Sequence, residues 1–370
     1  LAMLLHDTGK GDGDQQIEGE KSARSACERL GVPAEEAKLV AWLVRHHLVM
    51  SDTAQKRDLS DPRTIAQFAK QVGSLEKLRL LLVLTVADIR AVGPALWNDW
   101  KGQLLRELYR FTEAAFHGGR SDEDGVRQQL AASALEAKQI VLQHLGHPGD
   151  AAWADAMEDG YWFSHARDAL IWHAEAATRA RRNGAIPHAA ARHRVEQGVT
   201  EILIYAGDRP GLFASLAAAI SASGANIADA RIHTTRDGAA FDVFSVQTTN
   251  HKPFGLTNPP QLEAMLARLH RAALEDHPPP PPQPPPRRAA AFRIEPWVRI
   301  DNDLSPHATI IEASGRDRPG LLAELARVLA AAKVTIVTAH LDPYGERVSD
   351  VFYVQEEGGG QVTHPRRTGA

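Results

Sequence analysis

The chain has 370 residues, 44% hydrophobic and 24% charged, with a net charge of −4; this is enough for two or three cored domains, and the slight acidity argues against a nucleic-acid partner. A single cysteine, Cys27, excludes a disulfide framework within the chain and fits a reducing compartment. No apolar run reaches the roughly 18 residues that span a bilayer and no signal-peptide pattern opens the chain, so the reading is cytoplasmic with no membrane partner.

The first residues, Leu1-Ala2-Met3-Leu4-Leu5, read as the middle of a buried helix, which leads us to expect that the chain starts inside a domain. Helical patterning continues to about residue 120, through 34–49 and 75–92 and an amphipathic stretch carrying Trp97, Trp100, Leu104, Leu105 and Leu108. Inside it lie three polar sets: His6-Asp7-Thr8-Gly9-Lys10, Arg45-His46-His47, and Asp88 between Ala87 and Ile89. Imidazole and carboxylate together suit a divalent ion that activates water, and the 17 histidines make metal chemistry worth testing. The plain alternatives are a hydrogen-bonded His6–Asp7 pair, a solvated Lys10, and one of His46 and His47 being a core or surface histidine. Asp88 in an apolar setting is more costly to explain without a partner.

A second helical stretch runs from about 122 to 145, followed by a basic, Ala-rich one from 153 to 182 and a Gly-Ala-Ile-Pro boundary near 184–187. Strands begin near Val199 and introduce a repeat. Gly207-Asp208-Arg209-Pro210-Gly211-Leu212 returns as Arg316-Asp317-Arg318-Pro319-Gly320-Leu321, and Asp242-Val243-Phe244 as Asp350-Val351-Phe352. Each copy reads strand, turn, helix, strand, turn, strand. Asp at the turn suits a helix cap, Pro a first helical turn, and Gly a close backbone approach. A helix is expected over 260–274. The prolines at 278–286, interrupted by Gln283, read as a polyproline-like loop insertion (277–290) before a last strand of the first copy at 292–294 or 298–300. The second copy has only a short segment after Val354, so it is expected to lack its final helix and strand.

The repeated segments resemble the ACT domain, a βαββαβ module that commonly binds amino acids at that first loop. The His-Asp pair with Asp88 resembles the centre of an HD phosphohydrolase. With 47–58, 85–90 and 96–101, the combination closely resembles the bifunctional PII uridylyltransferase/uridylyl-removing enzymes over essentially the whole chain. The resemblance implies a multidomain protein: an all-α HD-type domain (1–120), a helical connector (121–196), and two α+β ferredoxin-like ACT domains (199–301 and 307–370), the second truncated.

It implies a metal site, Mg²⁺ or Mn²⁺, held by His6, Asp7 and Asp88, with Lys10 and His47 as catalytic contacts. It further implies an effector site for glutamine at Asp208, Arg209, Gly211, Leu212, Asn226 and Ile227, and a second at Asp317, Arg318, Gly320 and Leu321. The partner would be the PII signalling protein. The transferase motif, a Gly-Ser followed by a paired-carboxylate strand, does not occur in the chain, so transfer of UMP would reside outside it. An HD-type alarmone hydrolase, which carries an acidic pair after His-Asp, and a purely amino-acid-binding regulatory fragment are the alternatives. Gln15-Gln16, where many family members have histidine, makes a second metal doubtful; Thr335, standing where the first copy has Asn226, leads us to expect that the two ACT sites differ.

Overall fold

The computed structural model describes residues 1–11, 13–59, 61–92, 99–119, 121–146, 151–275, 294–316, 318, 320–344, 347–356 and 358–363. The proline-rich segment, Asp317 and Gly345 lie outside them. The chain divides into two compact units, Leu1–Gln129 and Leu130–Ala370.

The first unit is helical: α1 (Ala2–Leu5), α2 (Gln15–Arg29), α3 (Ala34–His46), α4 (Val49–Lys56), α5 (Pro62–Val72), α6 (Leu75–Val92) and α7 (Asp99–His117). Local chemistry sets the ends. Asp14 caps α2 by accepting from the backbone N–H groups of Gln16 and Ile17, and Asp61 caps α5 ahead of Pro62. Gly73 then ends α5 in the left-handed region, at φ 77°. Leu43, Val44, Met50, Ile65, Phe68, Leu78, Leu81, Leu105 and Leu108 are buried. Helix α8 (Glu123–Leu145) has residues on both sides of the division.

The second unit continues with α9 (Ala151–Ala156), α10 (Asp159–Ser164) and α11 (Arg167–Arg182), then β1 (His188–Arg194), β2 (Val199–Gly207), α12 (Leu212–Ser221), β3 (Asn226–Arg231), β4 (Ala239–Gln247) and α13 (Pro259–Leu274). The second repeat follows as β5 (Trp297–Asp301), β6 (Thr309–Arg316), α14 (Leu321–Ala331), β7 (Val334–Tyr344) and β8 (Arg347–Glu356). Among the described residues eight strands form one antiparallel sheet in the order β1-β2-β4-β3-β7-β8-β6-β5.

Two expectations need correction. Val298–Ile300 does not close the first repeat: it lies in β5, which pairs with β6 of the second. The outer place beside β2 is filled instead by β1, from the chain preceding the repeat. The second repeat uses β5 in the same way, so its four-strand set is present rather than short of its last strand. The edge strand arrives before the repeated motif in both copies.

The two repeats meet through β3 and β7, with Asp229 opposite His340, Ala230 opposite Ala339 and Arg231 opposite Thr338. On one face Ile202, Ile204, Phe244, Phe352 and Val354 share a core with α12, α13 and α14. Small residues let α12 and α14 lie close, with Ala217 and Ala218 against Ala323. Because strand side chains alternate, Leu203, Tyr205, Phe241 and Val243 point to the other face and pack with Trp153, Tyr161, Trp162 and Leu170. The helices read as a connector are thus the second layer of this unit.

Candidate functional site

In the first unit the turn after α1 is pressed onto α2. A Cβ at Gly9 would overlap the Gln15 carbonyl and the Gly19 backbone, so only glycine allows this approach. The turn holds His6 and Asp7 in place. His6 Nδ1 donates to the Met3 carbonyl at 2.8 Å, which leaves Nε2 with its lone pair. That Nε2 stands 3.1 Å from Asp88 Oδ1, on α6, and 3.5 Å from Asp7 Oδ2. A neutral imidazole nitrogen and a carboxylate oxygen are both acceptors, so a cation, either a proton or a metal ion, must reconcile them.

His47, buried at the end of α3, repeats the arrangement: Nδ1 donates to Val44 O at 2.7 Å and the ring meets His6 edge-on, centroids 5.2 Å apart. His46 does something else. It donates to Trp42 O and stacks on the Trp42 ring at 4.6 Å, and burial holds its pKa below the ordinary value. Lys10 Nζ donates to Asp7 Oδ2 at 2.5 Å and Gln15 Nε2 to Asp7 Oδ1 at 3.0 Å. Burial pushes the Asp7 carboxyl up, but the Lys10 hydrogen bond and the charges of His6, Lys10 and His47 outweigh it and hold the carboxyl low. His6, Asp7, Asp88, Lys10 and His47 are therefore brought together. Backbone-anchored imidazoles beside carboxylates are a donor set that fits a divalent metal.

In the second unit a cavity of about 250 Å³ opens at the first repeat's loop. Asp208, Arg209, Gly211 and Leu212 line it, joined by Asp242 of β4 and by Lys333, Val334, Thr335 and Ile336 of the second repeat. Asn226 and Ile227 do not: Ile227 packs against the cluster of Ala217, Ala218 and Ala323. The β3–β7 junction brings the two repeats together, and the first repeat's loop meets the start of β7 in the second.

Asp208 is not a helix cap. Gly211, at φ 79°, occupies the N-cap position of α12 without a side-chain cap, and Asp208 Oδ2 accepts from Thr234 Oγ1 at 3.2 Å. Arg209 spends one nitrogen on the Ala272 and Glu275 carbonyls at the end of α13. In the second copy, Arg318 pairs with Glu324, and Gly320, at φ 83°, lies beside Ser221; Leu321 begins α14.

Asp242 was not singled out by its sequence. It is 2% exposed, and its Oδ1 has no hydrogen-bond partner. Burial, then the neighbouring Asp208, pushes its carboxyl well above the ordinary value. Lys333 was read only as part of the repeat. It sits at φ 58° where the first copy has Gly224 at φ 79°, a strained conformation for a residue with a Cβ. Two carboxyls, an ammonium group and the N-terminus of α12 around one cavity suit a zwitterion.

Residues 200–257 match the ACT domain family, and residues 307–349 match an ACT domain again. The chain is thus a helical region followed by two ACT domains. Over its full length it is a relative of the bifunctional uridylyltransferase/uridylyl-removing enzymes. It is 53% identical over 378 aligned residues to the one from Caulobacter vibrioides (strain NA1000 / CB15N), covering 100% of this chain and 40% of that protein. The Phenylobacterium zucineum (strain HLK1) enzyme is 50% identical, with 100% and 39% covered; that of Azospirillum brasilense is 42% identical, with 99% and 40% covered. The chain spans about 40% of the length of these curated relatives. No solved structure matches it. Among the described residues no helix is long and apolar enough to cross a membrane.

Proposed function

We propose that the protein containing this chain is a nitrogen-status signalling enzyme. Its helical unit would hydrolyse UMP from uridylylated PII, and its ACT pair would sense glutamine. Transfer of UMP from UTP to PII would be performed by residues outside this chain. The observation that carries the hydrolytic part is the facing of two acceptors, His6 Nε2 and Asp88 Oδ1, 3.1 Å apart.

His6, Asp7 and Asp88 would hold a divalent ion, Mg²⁺ or Mn²⁺, which when bound supplies an activated water and polarises the phosphodiester. Met3 O and Val44 O fix the tautomers of His6 and His47, so that both rings present Nε2 to the site. His47, whose Nδ1 is taken by Val44 O, would hold or pass a proton at Nε2. Lys10, exposed and already beside Asp7, would meet substrate phosphate. The similarity to uridylyltransferase/uridylyl-removing enzymes favours this reading over an alarmone hydrolase. Glutamine would enter the cavity with its ammonium group toward Asp208 and Asp242 and its carboxylate toward Lys333 and α12.

In the full-length protein, His6→Ala or Asp88→Ala should abolish release of UMP from uridylylated PII, and chelation should do so reversibly, with Mn²⁺ restoring it. Asp7→Ala should spare UMP transfer to PII. Undiminished release in folded His6→Ala and Asp88→Ala variants would end the hydrolytic assignment. Calorimetry of the 370-residue chain should give glutamine heat that glutamate and UTP do not, weakened in Asp208→Ala.

A further inference from the structure

On the sheet face opposite α12 and α14, three separate elements bring ligand-type side chains to one point. His165 ends α10 in an extended conformation, His173 sits on α11 with no exposed surface, and Glu201 projects from β2. One donor atom from each lies within 4.8 Å of the other two. Among the described residues no other trio of His, Cys, Asp or Glu meets that condition.

The internal geometry is that of a prepared site. His173 Nδ1 and Tyr161 Oη are 2.9 Å apart, while His173 Nε2 is buried without any hydrogen bond. That Nε2 lies 3.6 Å from Glu201 Oε1. The distance is too long for a hydrogen bond. It is close to the roughly 3.4 Å that separates two ligands of a tetrahedral ion with bonds of about 2.1 Å. Glu201 is held from its other side: Arg192 Nε donates to Oε2 at 2.5 Å, and Arg194 approaches the same oxygen at 3.8 Å. Oε1 is left facing His173.

His165 meets the His173 ring edge-on, with centroids 4.9 Å apart, and its Nε2 is 3.1 Å from His233 Nε2. Three arginines stand nearby, each in an ion pair. Arg192 and Arg194 pair with Glu201 and Asp168, and Arg231 with Asp229.

We propose that His165, His173 and Glu201 bind a zinc-class divalent ion that pins α10 and α11 to strand β2 of the first ACT domain. Two imidazoles and a carboxylate favour zinc over magnesium or calcium, which prefer all-oxygen sites. Tyr161 behind His173 and Arg192 behind Glu201 are the outer partners that orient such ligands. The site shares no residue with the His6 set, which belongs to the other compact unit.

The test is the metal content of the purified 370-residue chain after growth with zinc, with cobalt substitution as a spectroscopic readout. One zinc equivalent should survive in a His6→Ala/Asp88→Ala double variant and disappear in Glu201→Gln and His173→Asn. Cobalt should give intense tetrahedral ligand-field bands with the same dependence. Tyr161→Phe keeps the ring in its packing and removes only the hydroxyl; it should weaken zinc binding about 10- to 100-fold, read by chelator competition. Absence of zinc from the double variant, or wild-type zinc affinity in Tyr161→Phe, would overturn the proposal even if the ligand variants fold poorly.

Discussion

The two ACT copies share one face and differ on the other. Toward α12 and α14 both present the same kind of residue: Ile202, Ile204 and Phe244 in the first, Ile311, Ala313 and Phe352 in the second. On the opposite face the first copy has Leu203, Tyr205, Phe241 and Val243 under a helical layer. At the matching positions the second has Glu312, Ser314, Ser349 and Val351, with Ser349 donating to Glu312 and Ser314 to the Val348 carbonyl. The repeated residues thus build the common core, and the residues that are not repeated decide what each copy is covered by.

The largest effect should come from breaking the covered face. Phe241 is fully buried and touches the rings of Trp153, Tyr161, His173 and Tyr205. Phe241→Ala should cost about 3–5 kcal/mol in denaturant unfolding, because the transfer loss and the cavity add. Ser349→Ala, at the matching place in the second copy, should cost under about 1 kcal/mol. Equal costs would mean that the two outer faces are not different environments.

The common face was legible in the sequence because the repeated Asp-Arg-Pro-Gly and Asp-Val-Phe segments fix strand, turn and helix in both copies. The edge strands were not. His188–Arg194, His-Ala-Ala-Ala-Arg-His-Arg, has no alternation of large apolar and polar residues to mark it. The last strand was therefore sought after the second helix rather than before the first strand. In the helical unit the grouping of His6, Asp7 and Asp88 was implied by the family resemblance, not by any local pattern. The separation of His46 from His47 was not legible, since it depends on which ring Trp42 receives. The composite cavity was out of reach for a similar reason. It exists only because β3 pairs with β7, and no local pattern announces that register.

A second, smaller effect would sharpen the comparison at that cavity. Lys333 and Gly224 occupy matching positions, both at positive φ. Lys333→Gly should leave stability unchanged or raise it by up to about 1 kcal/mol, since glycine relieves the left-handed strain and returns part of the gain as chain entropy. The same change should lower glutamine affinity roughly tenfold by removing a charge-assisted hydrogen bond. Asn226→Ala, away from the cavity, should leave affinity unaltered. If Asn226→Ala weakens glutamine and Lys333→Gly does not, each copy binds through its own strand rather than its neighbour's.

The smallest effect concerns pH and separates Asp242 from Asp350, its counterpart in the second copy. Burial and Asp208 raise the Asp242 carboxyl well above 3.8, so below that raised value it carries a proton that an ammonium group would displace. Glutamine binding should therefore release a proton and tighten as pH rises toward the raised value, by less than tenfold per pH unit, and level off above it. Stability runs the opposite way. The folded chain holds a proton that the unfolded chain gives up, so this contribution is full below the unfolded value of 3.8 and is lost as pH rises through the folded one. Asp242→Asn should flatten both dependences while weakening glutamine. Asp350→Asn should leave the glutamine profile as it was, because Asp350 does not line the cavity. Calorimetry in two buffers of different ionisation heat reads the proton release directly, and the same heat in both would remove Asp242 from ammonium recognition.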